Sequence, residues 1–161
     1  MATNMDAEKN TYPEIIVAPP RLYLIVFTVS AILHLLHPVT ITDQAMYRMT
    51  IGVTLLVVNA ILVRWAFRTM RVAQTSPNPF ESSTALVVTG PFKFSRNPVY
   101  VAMTGFYVAA ALLINSLWPL LLLLPLMITM HRGVIQREEL YLERRFGAAY
   151  VAYKMRVRRW L

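Results

Sequence analysis

The sequence predicts an all-α integral-membrane bundle of about four transmembrane helices, with a helical hairpin formed by spans three and four and a C-terminal amphipathic helix. Three observations predict it. Hydrophobic residues make up 57% of the chain and charged residues only 15%, against about 25% charged in a typical soluble domain. Mean hydropathy is +0.48. Apolar blocks of spanning length alternate with short polar interruptions, and backbone groups in hydrocarbon must be satisfied internally, which helices achieve. At 161 residues the chain reads as a single domain, 1–161.

A hydrocarbon core about 30 Å thick takes roughly 20 helical residues. The first span, 21–37, stops before Pro38, and the second covers 49–67. Val99 to Met130 is apolar for too long to be one span. Ile114-Asn115-Ser116 interrupts it, and Pro119 falls where a first helical turn tolerates proline. Spans 98–114 and 117–135 therefore read as a tight hairpin, followed by a helical tail over 135–161.

Charge sets the expected orientation. The segment 38–49 holds Arg48 alone and Asn115-Ser116 holds no basic residue, whereas Arg64, Arg68, Arg71, Lys93 and Arg96 flank or fill the connection 68–97. The tail is also basic. The positive-inside rule places both termini and that connection in the cytoplasm. The net charge of +8 is then explained by basic membrane edges, and no nucleic-acid partner is expected. Residues 1–20 carry Asp6, Glu8 and Glu14 against Lys9, so no cleaved signal is expected. An inner (plasma) membrane fits a compact chain with no targeting segment. The absence of cysteine excludes disulfides and thiolate chemistry.

Within the tail, Leu142, Phe146, Tyr150, Tyr153, Val157 and Trp160 share one helical face, which on its own reads as an interfacial anchor. Gly147 is expected to divide the run. Asn97 is placed to cap the third span, with Pro98 in its first turn. Glu138-Glu139, in basic surroundings, either pairs with Arg137, Arg144 or Arg145 or binds a polar ligand. His34 and His37 lack a third ligand, so no metal is expected. Asn59 reads as an interhelical hydrogen-bonding residue. No GxGxxG, Walker, HExxH or GxSxG motif occurs.

The string Thr89-Gly90-Pro91-Phe92-(x)3-Arg96-Asn97-Pro98-Val99-Tyr100 is followed after the hairpin by Glu138-Glu139-(x)6-Phe146-Gly147-(x)2-Tyr150-(x)2-Tyr153-(x)3-Val157-Arg158-Arg159-Trp160. Together these resemble the isoprenylcysteine carboxyl methyltransferase and phospholipid methyltransferase superfamily. The entry Val17-Ala18-Pro19-Pro20 is similar to that of its bacterial members. The likeness rests on motifs over about the last 80 residues and on the span pattern before them.

The resemblance implies an integral-membrane methyltransferase that uses S-adenosylmethionine. Its cofactor pocket would be formed by the loop 68–97, the start of span three and the post-membrane helix. It implies that Leu86, Val87 and Phe92 line that pocket, and that Asn97, Pro98, Val99 and Tyr100 hold the adenosine and methionine parts. Glu138 would take a cofactor hydroxyl or ammonium, with Glu139 beside it. The implied partners are membrane lipids and a lipophilic or lipid acceptor.

The chemistry of the cofactor is compatible with these residues. An aromatic face such as Phe92 or Tyr100 suits a sulfonium or adenine, and Arg96 suits a carboxylate. Where the family often has histidine this chain has Asn97, which cannot titrate near pH 7. Prenylcysteine-acting members carry an arginine where this chain has Val134, with Arg132 and Arg137 nearby. A carboxylate acceptor needs only an orienting arginine such as Arg132 or Arg137. An amine must first lose a proton, a role open to Glu139. The expected catalytic residues are thus Arg96, Arg137 and Glu139. O-methylation ranks ahead of phospholipid N-methylation, then a nicotinamide-dependent reductase, then a four-span transporter, whose usual acidic residue within a span is missing.

Overall fold

The structure, a computed structural model, describes residues 13, 15–78 and 80–161, so most of the acidic N-terminal stretch discussed above lies outside the described residues. Among these residues every regular element is helical. They are α1 (Pro19–Leu36), α2 (Ala45–Val72), a 3-10 turn (Gly90–Lys93), α3 (Pro98–Leu113), α4 (Trp118–Met130), a π turn (His131–Ile135), α5 (Gln136–Phe146) and α6 (Ala148–Arg156).

Proline punctuation works as its chemistry requires. Prolines occupy the first turns of α1, α3 and α4, where the missing N–H would have no intrahelical partner anyway. The 28 residues of α2 rise about 42 Å, more than the roughly 30 Å of hydrocarbon. Its ends therefore extend beyond an apolar layer.

The hairpin turn is closed by Asn115 in the left-handed region at φ 55°, which asparagine adopts more readily than most residues. The Asn115 N–H bonds the Leu112 carbonyl and the Ser116 N–H the Ala111 carbonyl, both at 3.1 Å, a Schellman closure. Asn115 Oδ1 in turn accepts the Ile41 and Thr42 amides at 3.1 and 3.3 Å. Arg48 Nη1 donates to the Leu112 and Leu113 carbonyls, each at 2.6 Å. A helix C-terminus favours a cation there. This end of the bundle is fastened by polar contacts that tie the α1–α2 connection and the start of α2 to the α3–α4 turn.

Small residues bring α2 and α3 together. Gly52, Asn59 and Ala66, the buried residues of α2, recur every seventh position and so share a face that lies against α3. A Cβ on Gly105 would lie 2.2 Å from Asn59 Nδ2. Asn59 Nδ2 donates to the Leu55 carbonyl at 2.8 Å. The expected interhelical hydrogen bond is thus a bond within α2, which leaves the amide flat against the glycine.

Helix α1 packs on α4 and α3. The Tyr23 hydroxyl meets Thr104 Oγ1 at 2.7 Å, and the rings of Tyr23 and Phe27 meet Tyr107 edge-on at 5.9 and 5.8 Å. Beneath them Tyr100, Leu126, Met130, Val134 and Ile135 complete the core. Leu24, Ile32, Leu35, Val57, Ile61 and Leu124 face outward. Three helical runs are long and apolar enough to cross a membrane, namely Pro19–Leu36, Ala45–Val72 and Trp118–Phe146, and Pro98–Leu113 is a shorter apolar helix. The architecture is an all-α membrane bundle.

Gly105→Ala forces Asn59 out of its packed position and is expected to cost about 1–3 kcal/mol. Thermal unfolding in detergent should show this loss, and the double variant Gly105→Ala/Asn59→Ala should regain part of it. Strict additivity of the two changes would contradict the contact.

Candidate functional site

The site is assembled where the segment before α3, the start of α5 and the residues after α6 converge. Gly90 begins the segment at φ 59°, and a Cβ there would lie 2.5 Å from Thr69 Oγ1. Only glycine fits this close approach to α2 in a left-handed conformation. The 3-10 turn follows, and the Tyr153 hydroxyl donates to the Phe92 carbonyl at 2.7 Å. The Arg96 amide donates to the Arg158 carbonyl at 2.9 Å. Asn97 occupies the cap position of α3 without a side-chain cap bond. Its Nδ2 donates instead to the Arg159 carbonyl at 2.9 Å, because the returning tail presents an acceptor there. Backbone groups thus join this segment to the tail.

Beside this junction the charged side chains of Arg96 and Glu139 are buried, and that of Arg159 is half-buried. Glu139 accepts Arg159 Nε at 2.9 Å on one oxygen and Arg159 Nη2 at 2.6 Å on the other, a bidentate fork. Arg96 Nη2 joins at 2.9 Å, with both side chains only 7% exposed. The remaining Arg96 nitrogens, Nε and Nη1, are buried and have no hydrogen-bond partner among the described residues. Unpaired buried donors are costly and call for a ligand or water.

Glu138 meets a different neighbour. The Tyr100 hydroxyl donates to its Oε1 at 2.6 Å. Burial, with a further contribution from the neighbouring Glu139, outweighs that hydrogen bond and pushes the Glu138 carboxyl up to about 7. Burial likewise pushes the Tyr153 hydroxyl up to about 12, against the lowering influence of Arg96.

All of these groups border one cavity of about 450 Å³, within the usual range of roughly 300–1,000 Å³ for small-molecule sites. Its walls include Pro19 and Pro20 of α1, Val63, Phe67 and Met70 of α2, and Met103 of α3. It therefore joins a polar end, at Arg96, Glu138 and Tyr100, to an apolar region between helices α1 and α2.

Residues 47–149 match the phospholipid methyltransferase family. The chain belongs to that family. It is a membrane methyltransferase family within the superfamily that also contains the isoprenylcysteine carboxyl methyltransferases. No curated protein and no solved structure matches the chain.

In this phospholipid methyltransferase family member, Leu86, Val87, Phe92, Arg96, Asn97, Pro98, Val99, Tyr100, Glu138 and Glu139 all line the cavity. Arg137 does not line it and is exposed. Arg132 lies in a separate groove. Tyr150 and Tyr153, read from spacing as part of an interfacial anchor, are only 2% and 4% exposed and line the cavity. The break at φ 54° of Gly147 allows α6 to turn back onto the bundle. Arg159 stands in the tail motif, but no helical spacing relates it to Glu139, so the sequence does not mark it as that residue's partner. Among the described residues no group of three potential metal ligands occurs.

Because the Glu138 carboxyl lies above its ordinary value of 4.5, its contribution to stability is fully present below about pH 4.5. It is lost as pH rises through about 7. Glu138→Gln should remove this component. The difference in melting temperature between variant and wild type, followed from pH 5 to 8, should therefore drift in favour of the variant. A constant difference would show that Glu138 does not titrate in that window.

Proposed function

We propose that the chain transfers the methyl group of S-adenosylmethionine to a lipophilic acceptor that reaches the cavity from the membrane. The observation that carries this reading is the pair of buried donors on Arg96 without a partner among the described residues, in the same cavity as the Glu138 carboxyl and the aromatic side chains of Phe92 and Tyr100. These residues fit the cofactor's charges. Arg96 offers N–H donors for its carboxylate, and Glu138, once ionised, offers a counter-charge for its ammonium. Phe92 and Tyr100 offer aromatic faces for the sulfonium or adenine. S-adenosylmethionine supplies an electrophilic methyl group, and the residues of the chain orient the reactants and exclude water. Such positioning can account for much of a displacement's acceleration.

Access from the bilayer is supported by α1 and α2, both of which contribute apolar residues to the cavity while turning other apolar residues outward. Glu139 is given a positioning role, since both its oxygens are held by guanidinium groups. This arrangement favours an acceptor that needs no base, such as a carboxylate oxygen. The family match favours a second reading, N-methylation of an amine lipid, in which Glu138 takes up the proton. A cytoplasmic site in an inner (plasma) membrane completes the proposal and places the cavity where a soluble cofactor is supplied.

Calorimetric titration of S-adenosylmethionine into the detergent-purified chain should show binding that tightens as pH rises through about 7. Arg96→Ala and Glu138→Gln should each weaken it by about tenfold or more, the loss of one charge-assisted hydrogen bond, and Glu138→Gln should flatten the pH dependence. Arg137→Ala should leave it unchanged. No binding by folded wild type, with lipid present, would overturn the reading.

Transfer from methyl-labelled cofactor into membrane lipids separates the two acceptor chemistries. A methyl ester releases volatile methanol in alkali, whereas an N-methyl group stays with the lipid. Alkali-labile label is the expected result, and stable label would move the assignment to N-methylation.

A further inference from the structure

We propose that a groove outside the cavity, where α4 meets the π turn, binds the phosphate of an anionic phospholipid. The groove encloses about 310 Å³ and is lined by Met127, Ile128, His131, Arg132 and Trp160. Its two halves differ in chemistry. Met127 and Ile128 end the apolar run of α4, and Ile128 is 46% exposed. One turn on, Arg132 is exposed and has no ion-pair partner among the described residues.

The neighbouring histidine adds a second donor. Arg159 Nη1 lies 3.2 Å from His131 Nε2, and a guanidinium has no acceptor to offer. His131 Nε2 is therefore the acceptor in that contact, with Gln136 Nε2 also 3.4 Å from it, which leaves Nδ1 as the ring nitrogen placed to donate elsewhere. A guanidinium and an imidazole N–H beside an aliphatic floor match a phosphodiester that carries acyl chains. A free phosphate would use the donors and leave the floor wet. A zwitterionic headgroup would bring a second cation next to Arg132. The anionic lipid alone satisfies both halves, and basic residues at a membrane edge attract such lipids.

The groove is also wired to the cavity. Arg159 touches His131 with Nη1 and holds Glu139 with Nε and Nη2, and Glu139 holds Arg96. A headgroup that steadies His131 steadies that chain of contacts. Binding at the groove is nonetheless measurable without any methyl transfer, so its failure is distinguishable from failure of the proposed activity.

The test uses the full chain, delipidated in detergent and titrated with fluorescent phosphatidylglycerol or phosphatidylcholine. Phosphatidylglycerol should bind severalfold more tightly. Arg132→Gln, whose side chain is exposed and whose melting temperature should match wild type, should weaken phosphatidylglycerol by about fivefold. Arg132→Lys should restore most of the loss, and Arg144→Gln, on the exposed side of α5, should have little effect. Equal affinity for the two lipids would overturn the proposal. So would equal losses in the Arg132 and Arg144 variants, which would mean diffuse surface charge. Displacement of the lipid by equimolar inorganic phosphate would reassign the groove to free anions.

Discussion

The carboxylate of Glu139 is the contact on which the rest of the site depends. Moving an ion out of water costs several kcal/mol even after relaxation, and a lone guanidinium at the position of Arg96 would not be tolerated. Glu139 supplies its counter-charge. Arg159 then saturates the carboxylate from the other side. The triad carries one net positive charge, and it includes a guanidinium, that of Arg96, with two nitrogens that meet no hydrogen-bond partner among the described residues. The same contacts bind the chain after α6 to the segment before α3, so the electrostatic and architectural roles of the triad coincide.

Two adjacent glutamates on one helix acquire opposite circumstances because consecutive helical residues point about 100° apart. Glu139 turns toward two cations. Glu138 turns toward the Tyr100 hydroxyl, and its burial, against the lowering effect of that hydrogen bond, holds its proton to higher pH. A site that keeps one carboxylate permanently engaged and leaves its neighbour free to change charge has separated scaffolding from chemistry. Such divergence of paired carboxyl groups is a common mark of functional sites.

The bundle was legible because hydrocarbon imposes length and satisfaction rules that sequence obeys openly: apolar blocks, prolines in first turns and Asn115 at the hairpin. The segment 89–100 and Glu138-Glu139 stood out by residue type and order, but their residue types alone fitted a capped helix start and surface ion pairs equally well, and only the family resemblance joined them into one pocket. Arg159 was not, since its 20-residue separation from Glu139 is set by the break at Gly147 and by the path of the tail. Arg137 follows from helix geometry. If Glu138 and Glu139 both face inward, the residue before them is rotated away from the pocket. The cap expected of Asn97 failed for a related reason, because the competing acceptor comes from residue 159 and local sequence cannot reveal it.

The joining of residues 158 and 159 to the segment before α3 makes closure of the pocket a long-range event, between groups 62 residues apart on the chain. Contacts of such separation repay their loop-closure entropy only once the intervening helices have packed. The second arginine of the triad is therefore delivered to Glu139 by the finished bundle, and the pocket is a product of the fold as a whole rather than of any one motif in it.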